Sequence, residues 1–506
     1  MLNFNLFFEN HLKIFLPEIY IITVVLFLLL VGVIFSNLRK YKYPFFVQEM
    51  SVLTILTLFF TLLLVYNSSL SNIVIFNNLF IVDDFAKFFK ILGLISTIAC
   101  LVISRNFVKK ININSFEYLI LILFSTFGLM LLVSSFDLVS VYISLEVQSL
   151  SFYILASMRK DSAFSTEAGL KYFILGAFSS GILLLGISFI YGSVGSTNFA
   201  VLGKFFSSFD HLSFSSDFFN VNNRIIVGIV LILIGFLFKL TAVPFHMWAP
   251  DVYEGSPIFI TVLFSIVPKI GILAIAIKIF YFSLYEGFVY WQSMGLIVSV
   301  LSTTIGTLKA LQQNKIKRFL AYSSIGHVGF LLLAFSTGTI LGVQSLLFYL
   351  IIYTVMMLNI WSIIISLEIR NKSDGQVKYI NDLQGLVKSN PLLTYTLAIN
   401  MFSMAGVPPL AGFLAKFYLL FGALESSFKI IVIISILLSV ISAFYYIRFI
   451  KIIFFDENNT GFLYKTDINY THSLILASTF YFILFLFLIP SPLLLLVYYF
   501  GLVLFI

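Results

Sequence analysis

Residues 231–278 read LILIGFLFKLTAVPFHMWAPDVYEGSPIFITVLFSIVPKIGILAIAIK. This stretch holds two apolar runs separated by the short polar segment DVYEGSP. Each run approaches the roughly 20 residues that an α-helix needs to cross a hydrocarbon core of about 30 Å. Each also carries a lysine inside it, Lys239 and Lys269, with a proline nearby, Pro244 and Pro268. A charge at the bilayer centre costs about 2.5–3.5 kcal/mol on insertion scales. Such a residue persists where it faces protein or water and is useful there.

Working outward, spans of the same kind are predicted near 17–35, 50–66, 88–104, 116–134, 138–158, 168–191, 225–248, 257–278, 290–308, 319–337, 341–367, 392–422, 428–454 and 473–500. The fold class is therefore an all-α polytopic membrane protein of about 14 transmembrane helices. Composition agrees. The 506 residues are 60% hydrophobic and 10% charged, against about 25% charged in globular domains. The single cysteine, Cys100, excludes a disulfide framework, a Cys-ligated iron–sulfur cluster and a thiol-rich zinc site within this chain. No cleavable targeting segment is expected, because Met1–Glu18 lacks the Arg-rich, acid-poor character of a transit peptide.

Lysine and arginine in the loops set the orientation. Nineteen fall in loops after odd-numbered spans and seven on the opposite side, the latter including Lys90 and Lys278. The odd loops are thus placed on the matrix or cytoplasmic side. The same asymmetry accounts for the net charge of +8 without nucleic acid. Lys171, Lys239, Lys269 and Lys416 remain inside spans.

Glu146 and Lys269 fall near mid-membrane, and Lys239 somewhat toward the matrix side, at 1.5 Å per helical residue. Desolvation disfavours a charged lysine and a carboxylate neighbour favours it, so a Glu146–lysine pair would gate a proton. A static ion pair is the alternative reading, but one glutamate cannot neutralise several separated lysines. Broken helices are the second signal. Pro244 follows Lys239, Pro268 precedes Lys269, and Gly406, Pro408, Pro409 and Gly412 precede Lys416. Irregular backbone at membrane depth is tolerated where it is buried or lines water. Two interrupted helices five spans apart suggest an ion path in a repeat-built transporter. His327 suits proton exchange through its near-neutral reference pKa, or serves as a polar tie between helices. His246 is read as interfacial, Lys171 as able to snorkel, and Asp251 and Glu254 as solvated caps. No nucleotide signature or metal-ligand spacing is present.

The strings that hold these residues resemble a known family. YISLEVQSLSFYILA, GLKYFILGAFSSGILLLG, FKLTAVPFHMWAPDVYEGSP, FSIVPKIGILA, ALQQNKIKRFLAYSSIGHVGF and MAGVPPLAGFLAKFYLL are similar to the antiporter-like subunits of respiratory complex I, in the branch of mitochondrial chain 2 and the bacterial N subunit. The resemblance implies two inverted five-helix repeats, spans 4–8 and 9–13, with helices 7 and 12 broken. Residues 1–115 would form an N-terminal three-helix segment, 116–280 and 281–455 the repeats, and 456–506 a C-terminal helix. It also implies a proton path through Glu146, Lys239, Lys269, Lys416, His327 and Lys171, driven by NADH:ubiquinone electron transfer elsewhere. NADH, FMN, iron–sulfur clusters and ubiquinone would belong to partner subunits, and no cofactor to this chain. The expected neighbours are an M-type antiporter-like subunit, a small K-type subunit and membrane lipids. The expected location is the mitochondrial inner membrane, or a bacterial plasma membrane. An Mrp-type cation/proton antiporter subunit and a non-pumping structural subunit are the rival functions. Lys416, where the M-type subunit usually has Glu, favours the chain 2 branch.

Overall fold

The computed structural model describes residues 11–36, 45–68, 72–111, 115–207, 216–369, 376–456, 464–466 and 469–503. Basic loop residues Arg39, Lys40, Lys42, Arg370 and Lys372, and residues 208–215 of the Ser-rich connection, lie outside them. In chain order the main helices are α1 (Leu16–Ser36), α2 (Phe45–Asn67), α3 (Asp84–Ile111), α4 (Glu117–Ser134), α5 (Leu138–Ala156), α6 (Ala163–Val194), α7 (Ser216–Lys239), α8 (Trp248–Gly255) and α9 (Ile258–Lys278). They continue with α10 (Phe288–Leu311), α11 (Ile316–Phe335), α12 (Ile340–Ser366), α13 (Pro391–Ala405), α14 (Ala411–Glu425), α15 (Lys429–Phe454), α16 (Tyr470–Phe485) and α17 (Ser491–Val503).

Helices are the only open-ended way to satisfy every backbone polar group in lipid, and among the described residues eleven are long and apolar enough to cross a membrane. The twelfth and fourteenth spans read from the sequence each fall into two shorter helices, α13 with α14 and α16 with α17, while the seventh ends as a helix at Lys239 and runs on through a turn to α8. The division of the fourteenth corrects the expectation of one helix over 473–500. Pro490 and Pro492 explain it, since proline lacks the N–H that a continuous helix would use there.

Helix α9 is buried from end to end and packs on α3, α4 and α12. Helices α1, α6 and α15 lie at the periphery and expose large apolar side chains, among them Leu30, Phe178 and Val440. That is the surface lipid would cover. Close crossings fix the inner helices. At Gly306 on α10 an added Cβ would come within 2.6 Å of the Gly326 backbone nitrogen on α11. Small residues allow this backbone approach, and it seats the helix that carries His327.

A short antiparallel hairpin and one long-range antiparallel strand pair complete the fold. β1 (Ile73–Ile75) pairs with β2 (Phe80–Val82), and β3 (Leu367–Ile369) pairs with β4 (Tyr464–Thr466) in the register Leu367↔Thr466.

Candidate functional site

Helix α7 stops at Lys239 because the chain turns left-handed two residues later. Ala242 N–H donates to the Leu237 carbonyl at 2.9 Å, and Thr241 N–H to the Phe238 carbonyl at 3.1 Å. This is the paired closure of a Schellman motif, with Thr241 at φ +65° where glycine usually sits. Helix α13 ends the same way. Val407 N–H donates to the Phe402 carbonyl at 3.1 Å and Gly406 N–H to the Ser403 carbonyl at 3.0 Å, with Gly406 at φ +90°. Both breaks therefore present helix C-termini, the negative ends of their dipoles, inside the protein.

A lysine occupies each. Lys416, buried on α14, donates to the carbonyls of Met404 and Ala405, both at 2.9 Å. Its ammonium thus sits on the terminal carbonyls of α13 and 5.5 Å from the centre of the Phe330 ring. Lys239 lies in the last turn of α7, is buried, and donates to the Tyr153 hydroxyl at 2.9 Å.

Pro268 interrupts the ladder of α9. A proline has no N–H for the carbonyl four residues back, and the hydroxyl of Tyr253 on α8 donates to that Phe264 oxygen instead, at 3.2 Å. The next residue, Lys269, is buried and donates to the Tyr353 hydroxyl on α12 at 2.8 Å. Tyr353 in turn donates to the Ser265 carbonyl at 3.2 Å.

His327 on α11 stands between the lysines of the two halves. Its Nδ1 is 2.6 Å from the Tyr349 hydroxyl and its Nε2 3.2 Å from the Tyr446 hydroxyl. Its ring centre is 5.5 Å from that of Tyr353. Between Lys239 and Pro268, a cavity of about 10 Å³ is lined by Gln148, Ser149 and Tyr172. That is space for about one water molecule. Lys239, Lys269, His327 and Lys416 are thus brought into one buried polar series. Their hydrogen-bond partners are neutral hydroxyls and carbonyls, so no carboxylate pins a charge on them.

Glu146 and Lys171 stand apart. No ion pair joins Glu146 to Lys239. Tyr153, seven residues further along α5 and roughly 10 Å along the axis, takes the ammonium. One Glu146 oxygen is buried without a partner, and the other accepts from Ser149 at 3.5 Å. Lys171 is partly exposed and pairs with Glu167 at 2.7 Å and Asp251 at 3.3 Å. Asp251 and Glu254, read from the sequence as solvated caps, are instead tied to α11. Arg318 meets them at 2.6 and 2.5 Å, and Lys315 bonds Glu254. His246 is buried at the break after α7.

Two of the lysines assigned to loops also prove to be buried. Lys90 pairs with Glu18 at 2.5 Å, and Lys278 with Asp83 at 3.0 Å, holding α1 and α9 against α3 and the turn before it. The sequence reading missed them because they lie near helix ends. It also missed Tyr153, Tyr349, Tyr353 and Tyr446. The spacing of Tyr349 and Tyr353, four apart and so on one helical face, was the available signal. Among the described residues no group of three or more His, Cys, Asp or Glu side chains could hold a metal ion.

An interrupted-helix bundle with buried lysines defines an antiporter-like membrane protein, and residues 135–442 match the family model described as NADH:quinone oxidoreductase/Mrp antiporter, TM. The chain is 48% identical to NADH-ubiquinone oxidoreductase chain 2 of Marchantia polymorpha, over 96% of this chain and 97% of the relative. It is 42% identical to NADH-quinone oxidoreductase subunit N of Pelagibacter ubique, over 96% and 98%. Its fold matches a chain of respiratory complex I from Thermus thermophilus with bound aureothin, with a TM-score of 0.76 at 25% identity, covering 94% of this chain and 98% of that one. The chain belongs to the family of NADH-ubiquinone oxidoreductase chain 2 and its bacterial counterpart, subunit N.

Proposed function

We propose that this chain moves protons as an antiporter-like subunit in the membrane arm of complex I, in the mitochondrial inner membrane. The observation that carries the reading is the set of neutral partners around Lys239, Lys269 and Lys416. An ammonium held by a tyrosine hydroxyl or a backbone carbonyl can release its proton without leaving a carboxylate unpaired in the interior. A lysine locked to a glutamate could not do so at equal cost.

Tyr353 takes the Lys269 ammonium on its hydroxyl, which itself donates to the Ser265 carbonyl, and its ring lies 5.5 Å from that of His327, so a proton leaving Lys269 passes this tyrosine on its way to the histidine. His327, flanked by two hydroxyls, can take a proton on one nitrogen and give it from the other. The terminal carbonyls of α13 then favour its arrival on Lys416. The water-sized cavity by Lys239 supplies a bridge toward α9. Glu146, half-buried with a free oxygen, acts through the electrostatics of the Lys239 region rather than by direct contact. Lys171 sits with Asp251 and Arg318 at the matrix-side mouth, where proton uptake would begin. The electrons would travel through NADH, FMN, iron–sulfur clusters and ubiquinone in partner subunits, with M-type and K-type subunits as neighbours.

The test is substitution in the assembled complex. Lys239→Ala and Lys269→Ala are each expected to cut proton-coupled quinone reduction severely while the complex still forms. Normal pumping in both would favour a structural role. The family description also spans Mrp antiporters. Purification separates the two: the complex I reading requires co-migration with flavin and iron–sulfur subunits, and an Mrp component would migrate without them.

A further inference from the structure

A second feature lies outside the buried series. At the lysine- and arginine-rich end of the bundle a cavity of about 330 Å³ is lined by Arg159, Lys315, Lys317 and Lys378, with Glu254 as its sole carboxylate among the described residues. Glu254 is already engaged by Lys315 and Arg318. Arg159 and Lys317 therefore leave the cavity with a positive surplus. The adjoining cavity of about 240 Å³ is balanced, with Glu167, Asp251 and Glu254 against Lys171, Lys315 and Arg318.

The backbone adds to the surplus. Three helices begin on this cavity: α6 after Ser162, α9 after Pro257 and α11 after Lys315, and all three preceding residues line it. Helix N-termini carry partial positive charge and bind anions. Lys315, Lys317 and Arg318 occupy the cap and first turn of α11, where the dipole disfavours cations. Glu254 and Asp251 answer Lys315 and Arg318 there, and Lys317 is left facing the cavity. Lys317 donates to the Ser256 carbonyl at 2.6 Å and to the Glu254 carbonyl at 3.5 Å, which holds its ammonium over the cavity with one further N–H to give. Residues 378–380 are pinned beside it, since Ile316 N–H donates to the Lys378 carbonyl at 3.1 Å and Ile380 N–H to the Asn314 carbonyl at 2.9 Å.

Position selects the kind of anion. These residues sit at helix ends on the basic side, the depth of phosphate headgroups. Phe164 lines the cavity yet is 74% exposed. Leu175 and Phe178 follow on the same face of α6, three and four turns down, and are exposed as well. A polar, cationic bowl opens onto an apolar stripe. We propose that this cavity binds the phosphate headgroup of an anionic phospholipid, whose acyl chains run over Phe164 along the outer face of α6.

The experiment uses the whole complex, wild-type and with Arg159→Gln and Lys378→Gln combined, in membranes doped with photoactivatable phosphatidylglycerol or phosphatidylcholine. Adducts are mapped by peptide mass spectrometry. The expected result is labelling of the 159–178 segment by phosphatidylglycerol well above phosphatidylcholine, unaffected by millimolar inorganic phosphate. In the double variant it should fall on the order of tenfold. Equal labelling by both lipids, or labelling unchanged in the variant, would overturn the proposal. So would displacement by inorganic phosphate, which marks a free-phosphate site, or a crosslink to an acidic partner segment in place of lipid. Lipid labelling is read without reference to pumping, so its failure leaves the proton path untouched.

Discussion

At the residue scale, the central question is what holds an ammonium in a lipid-embedded interior. Tyr353 does this for Lys269 with one hydroxyl at 2.8 Å. Tyr353→Phe keeps the ring and its packing but leaves the amine without an acceptor, at a cost of about 1–3 kcal/mol for the unsatisfied group. We expect proton-coupled quinone reduction to fall on the order of tenfold with the complex still assembled, as checked by native electrophoresis beside the activity assay. Gly406 is equally exacting. Its φ is +90°, and an added Cβ would meet Lys416 Cδ at 3.1 Å. Gly406→Ala should destabilise by about 1 kcal/mol from the left-handed backbone alone and shift the Lys416 ammonium off its carbonyls. A thermal-shift measurement together with the pumping rate would report both effects. Lys239, Lys269, His327 and Lys416 could be picked out by eye as polar residues in apolar runs. Of their tyrosine partners, Tyr349 and Tyr353 carried only the weak signal of a four-residue spacing, and Tyr153 and Tyr446 carried none in a chain with 26 tyrosines.

At the element scale, the two breaks were legible to different degrees. GVPP after α13 announces a helix end, with glycine at the left-handed position and prolines behind it. The break after α7 carries threonine at that position, so Pro244 was its only advertisement. Thr241→Gly should relieve the left-handed strain and stabilise the protein by about 1 kcal/mol, seen as a raised thermal midpoint. A lowered midpoint would show that the Thr241 side chain contributes more than its backbone costs. The α10–α11 crossing makes the opposite prediction. Gly306→Leu drives a side chain into the Gly326 backbone, and loss of assembled complex is expected on native gels. That contact was not readable, since glycine pairs on separate helices carry no mark of their partners in one sequence.

At the scale of the whole molecule, charge pairs at the two ends of the bundle tie distant segments together. Arg318 joins α11 to α8 through Asp251 and Glu254, and Lys278 joins α9 to the turn before α3 through Asp83. Removing one partner of a buried pair leaves an uncompensated charge, at about 3–5 kcal/mol. Lys278→Ala should therefore lower the yield of assembled complex, and Lys278→Ala with Asp83→Ala should recover part of it. The overall class, an all-helical membrane protein, was legible because lipid imposes one simple rule on every span. The end-to-end pairing was not, since it depends on which helix ends meet.

The most direct measurement is the ratio of protons moved to electrons passed, in proteoliposomes carrying the whole complex, with NADH oxidation and internal pH followed together. With Lys269→Ala, which leaves the packing of α9 otherwise intact, fewer protons should cross per electron than in wild-type at matched amounts of assembled complex. An unchanged ratio at the wild-type rate of NADH oxidation would show that the lysine, tyrosine and histidine series carries no protons.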